Sequence, residues 1–177
     1  MRHRLRPATP DDREALLAIY ASTRADELAL TDWSANQCRA FVEMQFDAQW
    51  RHYSLHYPQS ICQLIVLDTA SASGTSAQQV LGRLWVDRSN RRLHVLDITL
   101  LPESRGRGLG SQLLRELMTE ADDRATALTV SVEVHNPARH LYERLGFLAQ
   151  GEAQGIYQRM AWRPATRQAT EHQECLP

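Results

Sequence analysis

The sequence predicts a single α/β domain built on a mixed sheet, and three observations carry that prediction. Segments with two-residue apolar alternation interleave with segments of helical spacing, in the order strand, two helices, three strands, helix, strand, helix, two strands. The chain has 177 residues, enough for one domain to bury a core of its own. Its composition, 43% hydrophobic and 23% charged with a mean hydropathy of −0.44, is that of an ordinary soluble globular protein. Residues 1–163 are expected to form the domain and 164–177 a polar, disordered tail.

Residues 2–9 (RHRLRPAT) alternate in part and read as a short strand. Thr9-Pro10-Asp11-Asp12 then reads as a helix start, with a hydroxyl to cap, a proline at the first position and acids at the positive end. Leu16, Leu17 and Tyr20 supply its apolar stripe. A second helix is expected from near Ser34 to about His56, with Phe41, Met44, Gln45, Ala48 and Tyr53 at helical spacing, ended by Pro58. Ile61–Leu67 reads as a buried strand, residues 69–78 as a polar hairpin tip, and Val80–Asp87 as the return strand. After a turn at Arg88-Ser89-Asn90, Leu93–Leu101 is strongly strand-like and stops at Pro102. Leu109 to about Asp123 is an amphipathic helix with Leu113, Leu114, Leu117 and Ala121 on one face. In the next strand Leu128, Val130, Val132 and Val134 share one face, and Thr129, Ser131, Glu133 and His135 the other. Pro137–Leu145 reads as a short helix capped by Gly146, followed by strands at Phe147–Ala149 and Ile156–Trp162.

Several function classes are disfavoured. With 20 Lys+Arg against 21 Asp+Glu, the net charge of −1 reads against a nucleic-acid partner. No stretch approaches the ~20 apolar residues of a membrane span. The basic N-terminus has no apolar run behind it, unlike a secretory signal. Cys38, Cys62 and Cys175 are odd in number and lack C-x-x-C spacing, which disfavours a disulfide framework or a zinc site and points to a reducing cytoplasm. No metal is expected.

The informative segment is LPESRGRGLGSQLL, residues 101–114. A strand stops, a glycine-rich turn follows, and a helix begins. Gly106, Gly108 and Gly110 permit positive φ and close backbone approach. The first amides of a helix lack internal partners, and the helix dipole adds roughly half a positive charge there. A pyrophosphate suits such a nest, with Arg105 and Arg107 beside it. A simple tight turn is the alternative. A P-loop would need Gly-Lys-Ser/Thr, and a dinucleotide fingerprint G-x-G-x-x-G; neither is present.

Arg105-x-x-Gly108-x-Gly110 resembles the Q/R-x-x-G-x-G/A acyl-CoA loop of the GNAT superfamily, and the preceding ITLLPESRG resembles that family's strand and lead-in. A second block, Val134-His135-Asn136-Pro137-Ala138-Arg139-His140-Leu141-Tyr142-Glu143-Arg144-Leu145-Gly146-Phe147, resembles the family's N-x-A…L-Y-x-x-x-G-F segment. The match is strong over residues 91–162, and the N-terminal half agrees in element order only. The resemblance implies a GNAT fold: a mostly antiparallel mixed sheet of six to seven strands, about four flanking helices, and a splay between the fourth and fifth strands. It implies acetyl-CoA as co-substrate and a primary amine as acceptor, on a small molecule or on a protein lysine or N-terminus. Transfer is direct, in a ternary complex. A non-catalytic acyl-CoA-binding module is the rival reading, and a homodimer is compatible with the family.

The resemblance also implies roles. Amides of Arg105, Gly106, Arg107, Gly108, Leu109, Gly110 and Ser111 would hold the pyrophosphate, and backbone groups of Ile98 and Leu100 would pair with the pantetheine arm. Asn136 would contact the pantetheine region, although it lies six residues from Tyr142 where many members have seven, which keeps His135 in view. Tyr142 would protonate the leaving thiolate; packing is its alternative role. The general base is open among His94, which lies eleven residues before Arg105, Glu133, Asp97 and a water chain. Asp97, mid-strand between Leu96 and Ile98, needs a partner. Trp50, His52, Tyr53, His56 and Tyr57 either border the acceptor pocket or form an aromatic core with solvated histidines. Glu27, Glu43, Asp47, Glu133 and Asp97 are the acids available to a cationic acceptor.

Overall fold

The computed structural model describes residues 3–70, 76–89 and 92–165. The tail beyond Ala165 and the centre of the hairpin tip, residues 71–75, lie outside the described residues. The strands are β1 (His3–Pro7), β2 (Ile61–Ala70), β3 (Ser76–Asp87), β4 (Arg92–Leu100), β5 (Ala127–Glu133), β6 (Leu148–Ala149) and β7 (Tyr157–Trp162). The helices are α1 (Arg13–Ala21), α2 (Ala25–Leu28), α3 (Ala35–His56), α4 (Leu109–Asp123) and α5 (Ala138–Arg144). Strand order in the seven-stranded mixed sheet is β1-β2-β3-β4-β5-β7-β6, with β4 and β5 parallel. Among the described residues no helix is long and apolar enough to cross a membrane.

The chain forms two compact units. The first takes the described residues up to Trp85 together with Asp97–Arg107. Here β1 pairs antiparallel with β2, from His3↔Leu67 to Pro7↔Gln63. Leu16, Leu17, Ile19 and Tyr20 of α1, Val42 and Phe46 of α3, and Leu64 and Val66 of β2 form its core. Pro10–Asp12 form a 3-10 turn, so the α-helix starts three residues after the expected proline. The Asp12 carboxylate accepts from the Thr9 amide at 2.8 Å and from the Arg6 guanidinium at 2.7 Å. That guanidinium holds the Asp12 carboxyl well below the usual carboxylate range. At the start of α3, Ser34 Oγ accepts from the Gln37 amide, and Gln37 Oε1 accepts from the Ser34 amide at 2.9 Å.

Three expectations need correction in this unit. α2 was not anticipated, because four residues are too few to show periodicity. β2 and β3 reach Ala70 and back to Ser76, through residues whose small polar composition reads as loop; strand pairing overrides local propensity there. The buried stripe of α3 is Val42 and Phe46, with Trp50 half-buried at the same spacing, whereas Met44 is exposed. Apolar residues on several faces of α3 made its inward face ambiguous.

The second unit comprises Val86–Leu96 and the described residues from Gly108. The parallel β4–β5 ladder runs from Arg92↔Ala127 to Val95↔Val130, and β5 pairs antiparallel with β7 from Leu128↔Trp162 to Glu133↔Tyr157. α4 buries Leu113, Leu114, Leu117 and Ala121, the four expected residues, and packs on β5. It ends in a Schellman turn in which the Thr126 amide donates to Ala121 O and the Ala125 amide to Asp122 O. Ala125 therefore carries the left-handed φ of +46°, a place where glycine is usual. On β5 the alternation is imperfect: Thr129, on the polar face, is buried and is hydrogen-bonded to the buried His94.

Candidate active site

The glycine turn is built as its residue types demand. β4 ends at Leu100, Pro102–Ser104 form a 3-10 turn, and Gly106 and Gly108 take φ of +72° and +80°. A Cβ at either glycine would meet nothing within 4 Å, so these residues are required for their conformation and leave open space above the turn. The Arg105 amide donates to Pro102 O at 3.2 Å. Its guanidinium folds back, donating through Nε to Leu100 O at 2.8 Å and reaching Ser22 O at 3.4 Å.

Gly108 is the N-cap of α4, and its carbonyl accepts the first helical bond, from Gln112 N–H at 3.0 Å. The amides of Leu109, Gly110 and Ser111 precede that bond and have no acceptor inside the helix. The first turn of α4 contains no acidic residue, so nothing there repels an anion. Open space, outward donors and the helix dipole together fit a pyrophosphate.

Downstream, Asn136 Oδ1 accepts from the Ala138 amide at 2.9 Å and so closes the start of α5. His135 and Asn136 are exposed. α5 ends in a Schellman turn with Gly146 at φ +87°, where the Phe147 amide donates to Tyr142 O and the Gly146 amide to Glu143 O. This turn brings Phe147 edge-on to Tyr142, with ring centroids 5.5 Å apart, and both rings are buried.

The base candidates occupy three different environments. His94 is buried, with Nδ1 2.8 Å from Thr129 Oγ1, and that hydroxyl lies 3.3 Å from Leu93 O. His94 and Thr129 thus form a buried hydrogen-bonded pair between β4 and β5. Glu133 is partly exposed, and Tyr157 Oη donates to it at 3.4 Å. Asp97 is bound by Arg83, through Nε at 3.1 Å and Nη2 at 2.8 Å, and by the Thr99 hydroxyl at 2.8 Å. Those three hydrogen bonds engage the Asp97 carboxylate from β3 and from its own strand.

Arg83 is the residue that the sequence reading passed over. The signal was present: a charged residue inside the apolar run LGRLWV needs a buried partner, and Asp97 was known to need one as well. The aromatic residues of α3 follow the core alternative. Trp50 and Tyr53 pack on Trp85 at 4.7 and 4.9 Å, while His52 and His56 are exposed. Four of the acids counted above are each tied to an arginine: Glu27 to Arg24, Glu43 to Arg39, Asp47 to Arg13 and Asp97 to Arg83. Burial pushes the Cys62 thiol up to about 12, which keeps it protonated and unsuited to carry an acyl group.

A strand, a glycine turn and a helix whose first amides have no acceptor inside it follow one another here, and the next helix carries a buried tyrosine. Residues 24–147 match the Acetyltransferase (GNAT) family, and the chain belongs to that family. Part of the chain, 71 residues or 39% of it, is 38% identical to streptothricin acetyltransferase of Streptomyces lavendulae; the match spans 38% of that relative's length. Among solved structures, the PaiA N-acetyltransferase of Thermoplasma acidophilum in complex with coenzyme A is similar in fold. It has a TM-score of 0.64 and 15% identity, over 93% of this chain and 100% of that one. An acetyltransferase from Thermus thermophilus aligns with a TM-score of 0.62 and 20% identity, over 93% and 98% of the two chains.

Proposed function

We propose that this chain is an N-acetyltransferase, carrying an acetyl group from acetyl-CoA directly to a primary amine. The observation that carries the reading is the open turn at Gly106 and Gly108 running into the unpartnered, acid-free amides of Leu109, Gly110 and Ser111. Acetyl-CoA supplies the thioester carbon that the amine attacks and the sulfur that leaves. The amides of the turn hold the pyrophosphate, and backbone groups of Ile98 and Leu100 align the pantetheine arm, with a strand amide near Leu100 donating to the carbonyl oxygen as negative charge develops on it. As the C–S bond breaks, Tyr142 gives its phenolic proton to the departing sulfur, and the second proton shed by the nitrogen as the amide forms restores the phenol. The acceptor enters as an ammonium, with a pKa near ~10, and must lose a proton before it attacks. Glu133 or His94 takes that proton, directly or through water.

Cys62, whose thiol burial pushes up to about 12, does not suit an acyl-cysteine route. Because Glu27, Glu43, Asp47 and Asp97 already face arginines, a polycationic acceptor is less favoured than a small amine of low charge. The partial match to an enzyme named for streptothricin supports a small-molecule acceptor.

The test is a thiol-release screen of amine acceptors with wild type and Tyr142→Phe. We expect kcat to fall by about 10²-fold or more in the variant, with acetyl-CoA affinity within twofold of wild type. Full activity in Tyr142→Phe removes the tyrosine from the mechanism. Acetyl-CoA binding with no turnover on any amine favours the non-catalytic binding module instead.

A further inference from the structure

We propose that Arg83 and Asp97 are positioning residues for the cofactor strand, holding the Asp97–Leu100 segment of β4 so that the Ile98 and Leu100 backbone groups are presented in one fixed geometry. The inference rests on the functional reading above.

Arg83 is fully buried. It grips Asp97 with two parallel bonds, and its Nη2 also donates to Gln49 Oε1 of α3 at 2.6 Å. Thr99 Oγ1 donates to the same carboxylate from two residues further along β4. One guanidinium therefore ties β3, β4 and α3 together at residues directly adjacent to Ile98 and Leu100. The opposite end of the segment is held as well: Arg105 Nε caps Leu100 O, and the Leu101 amide donates to Leu81 O at 2.9 Å.

Stability alone does not account for this arrangement. A buried ion pair is commonly no more stabilising than apolar side chains of the same volume, and the neighbours along β3, Leu81, Leu84 and Trp85, are apolar and buried. The pair even leaves one buried guanidinium nitrogen, Nη1, without a partner. What a bidentate fork supplies, and an apolar contact does not, is directional fixing of the carboxylate and of the backbone that carries it.

The experiment compares wild type, Thr99→Val and Arg83→Lys by acetyl-CoA calorimetry, by steady-state kinetics and by thermal melting. Thr99→Val keeps the shape and leaves the buried pair intact, so it folds even if Arg83→Lys does not. We expect KM and Kd for acetyl-CoA to rise about threefold in Thr99→Val and about tenfold in Arg83→Lys, while the acceptor KM stays within twofold. General loosening would instead lower the melting temperature and shift both KM values together, and that pattern overturns the proposal. So does a folded Thr99→Val whose acetyl-CoA Kd equals that of wild type. Absence of acetyl-CoA binding by wild type is a separate outcome, and it removes the functional reading itself.

Discussion

Replacing Gly82 with alanine probes the close approach of β3 to β4. A Cβ at Gly82 would lie 2.9 Å from Leu100 Cα and would collide with Thr99 O, both backbone atoms. Carbon atoms rest about 3.5–4.0 Å apart, so one strand must yield by roughly 0.6–1 Å. Forcing extra volume into a packed site costs about 1–3 kcal/mol. In a chain of this size each kcal/mol lowers the melting temperature by about 2–4 °C. The expected loss is therefore about 2–12 °C. A misplacement near 1 Å costs up to about 10²-fold in rate where the displaced group orients a reactant. With Leu100 in that role, kcat/KM for acetyl-CoA should fall by about tenfold or more. Calorimetric melting gives the first quantity. Thiol release at 25 °C, on protein shown to be folded, gives the second. An unchanged melting temperature refutes the described approach of the strands, and a lowered one with wild-type kcat/KM refutes the role given to the β4 backbone.

Two further predictions concern stability. Ala125→Gly relieves a left-handed conformation at the end of α4 and should stabilise by about 1 kcal/mol, raising the melting temperature by about 2–4 °C. Asp12→Asn weakens the grip on Arg6 and Thr9 and should cost about 1–2 kcal/mol at pH 7. The folded Asp12 carboxyl is depressed below its unfolded value near ~3.9, so its contribution is complete above about pH 4 and is lost as pH falls through the folded value. The difference in melting temperature between wild type and Asp12→Asn should accordingly narrow below pH 4; a constant difference down to pH 3 contradicts the assignment.

What could be read from the sequence follows the strength of each local signal. The α4 stripe of Leu113, Leu114, Leu117 and Ala121 was legible because a surface helix on a sheet has one apolar face. The ends of α5 and of the glycine turn were legible because Gly146, Gly106 and Gly108 stand where φ must be positive. In α3, apolar and aromatic residues on several faces concealed the Val42–Phe46 stripe until its neighbours were known. The Arg83–Asp97 pair joins residues 14 apart in sequence, which no periodicity reports. The fold-back of Arg105 onto Leu100 O was equally hidden, since a basic residue beside a glycine turn reads first as a ligand. His94 was singled out as a candidate by its spacing to Arg105, but its burial and its bond to Thr129 come only from strand pairing.

The most direct test of the central claim is calorimetric titration of acetyl-CoA into wild type and a Gly108→Glu, Gly110→Glu double variant. The variant places two carboxylates in the space over the first turn of α4. The account predicts micromolar binding by wild type and none by a folded variant. A well-folded wild type that binds no acetyl-CoA, or a variant that binds it equally well, would show that the glycine turn is not the cofactor site.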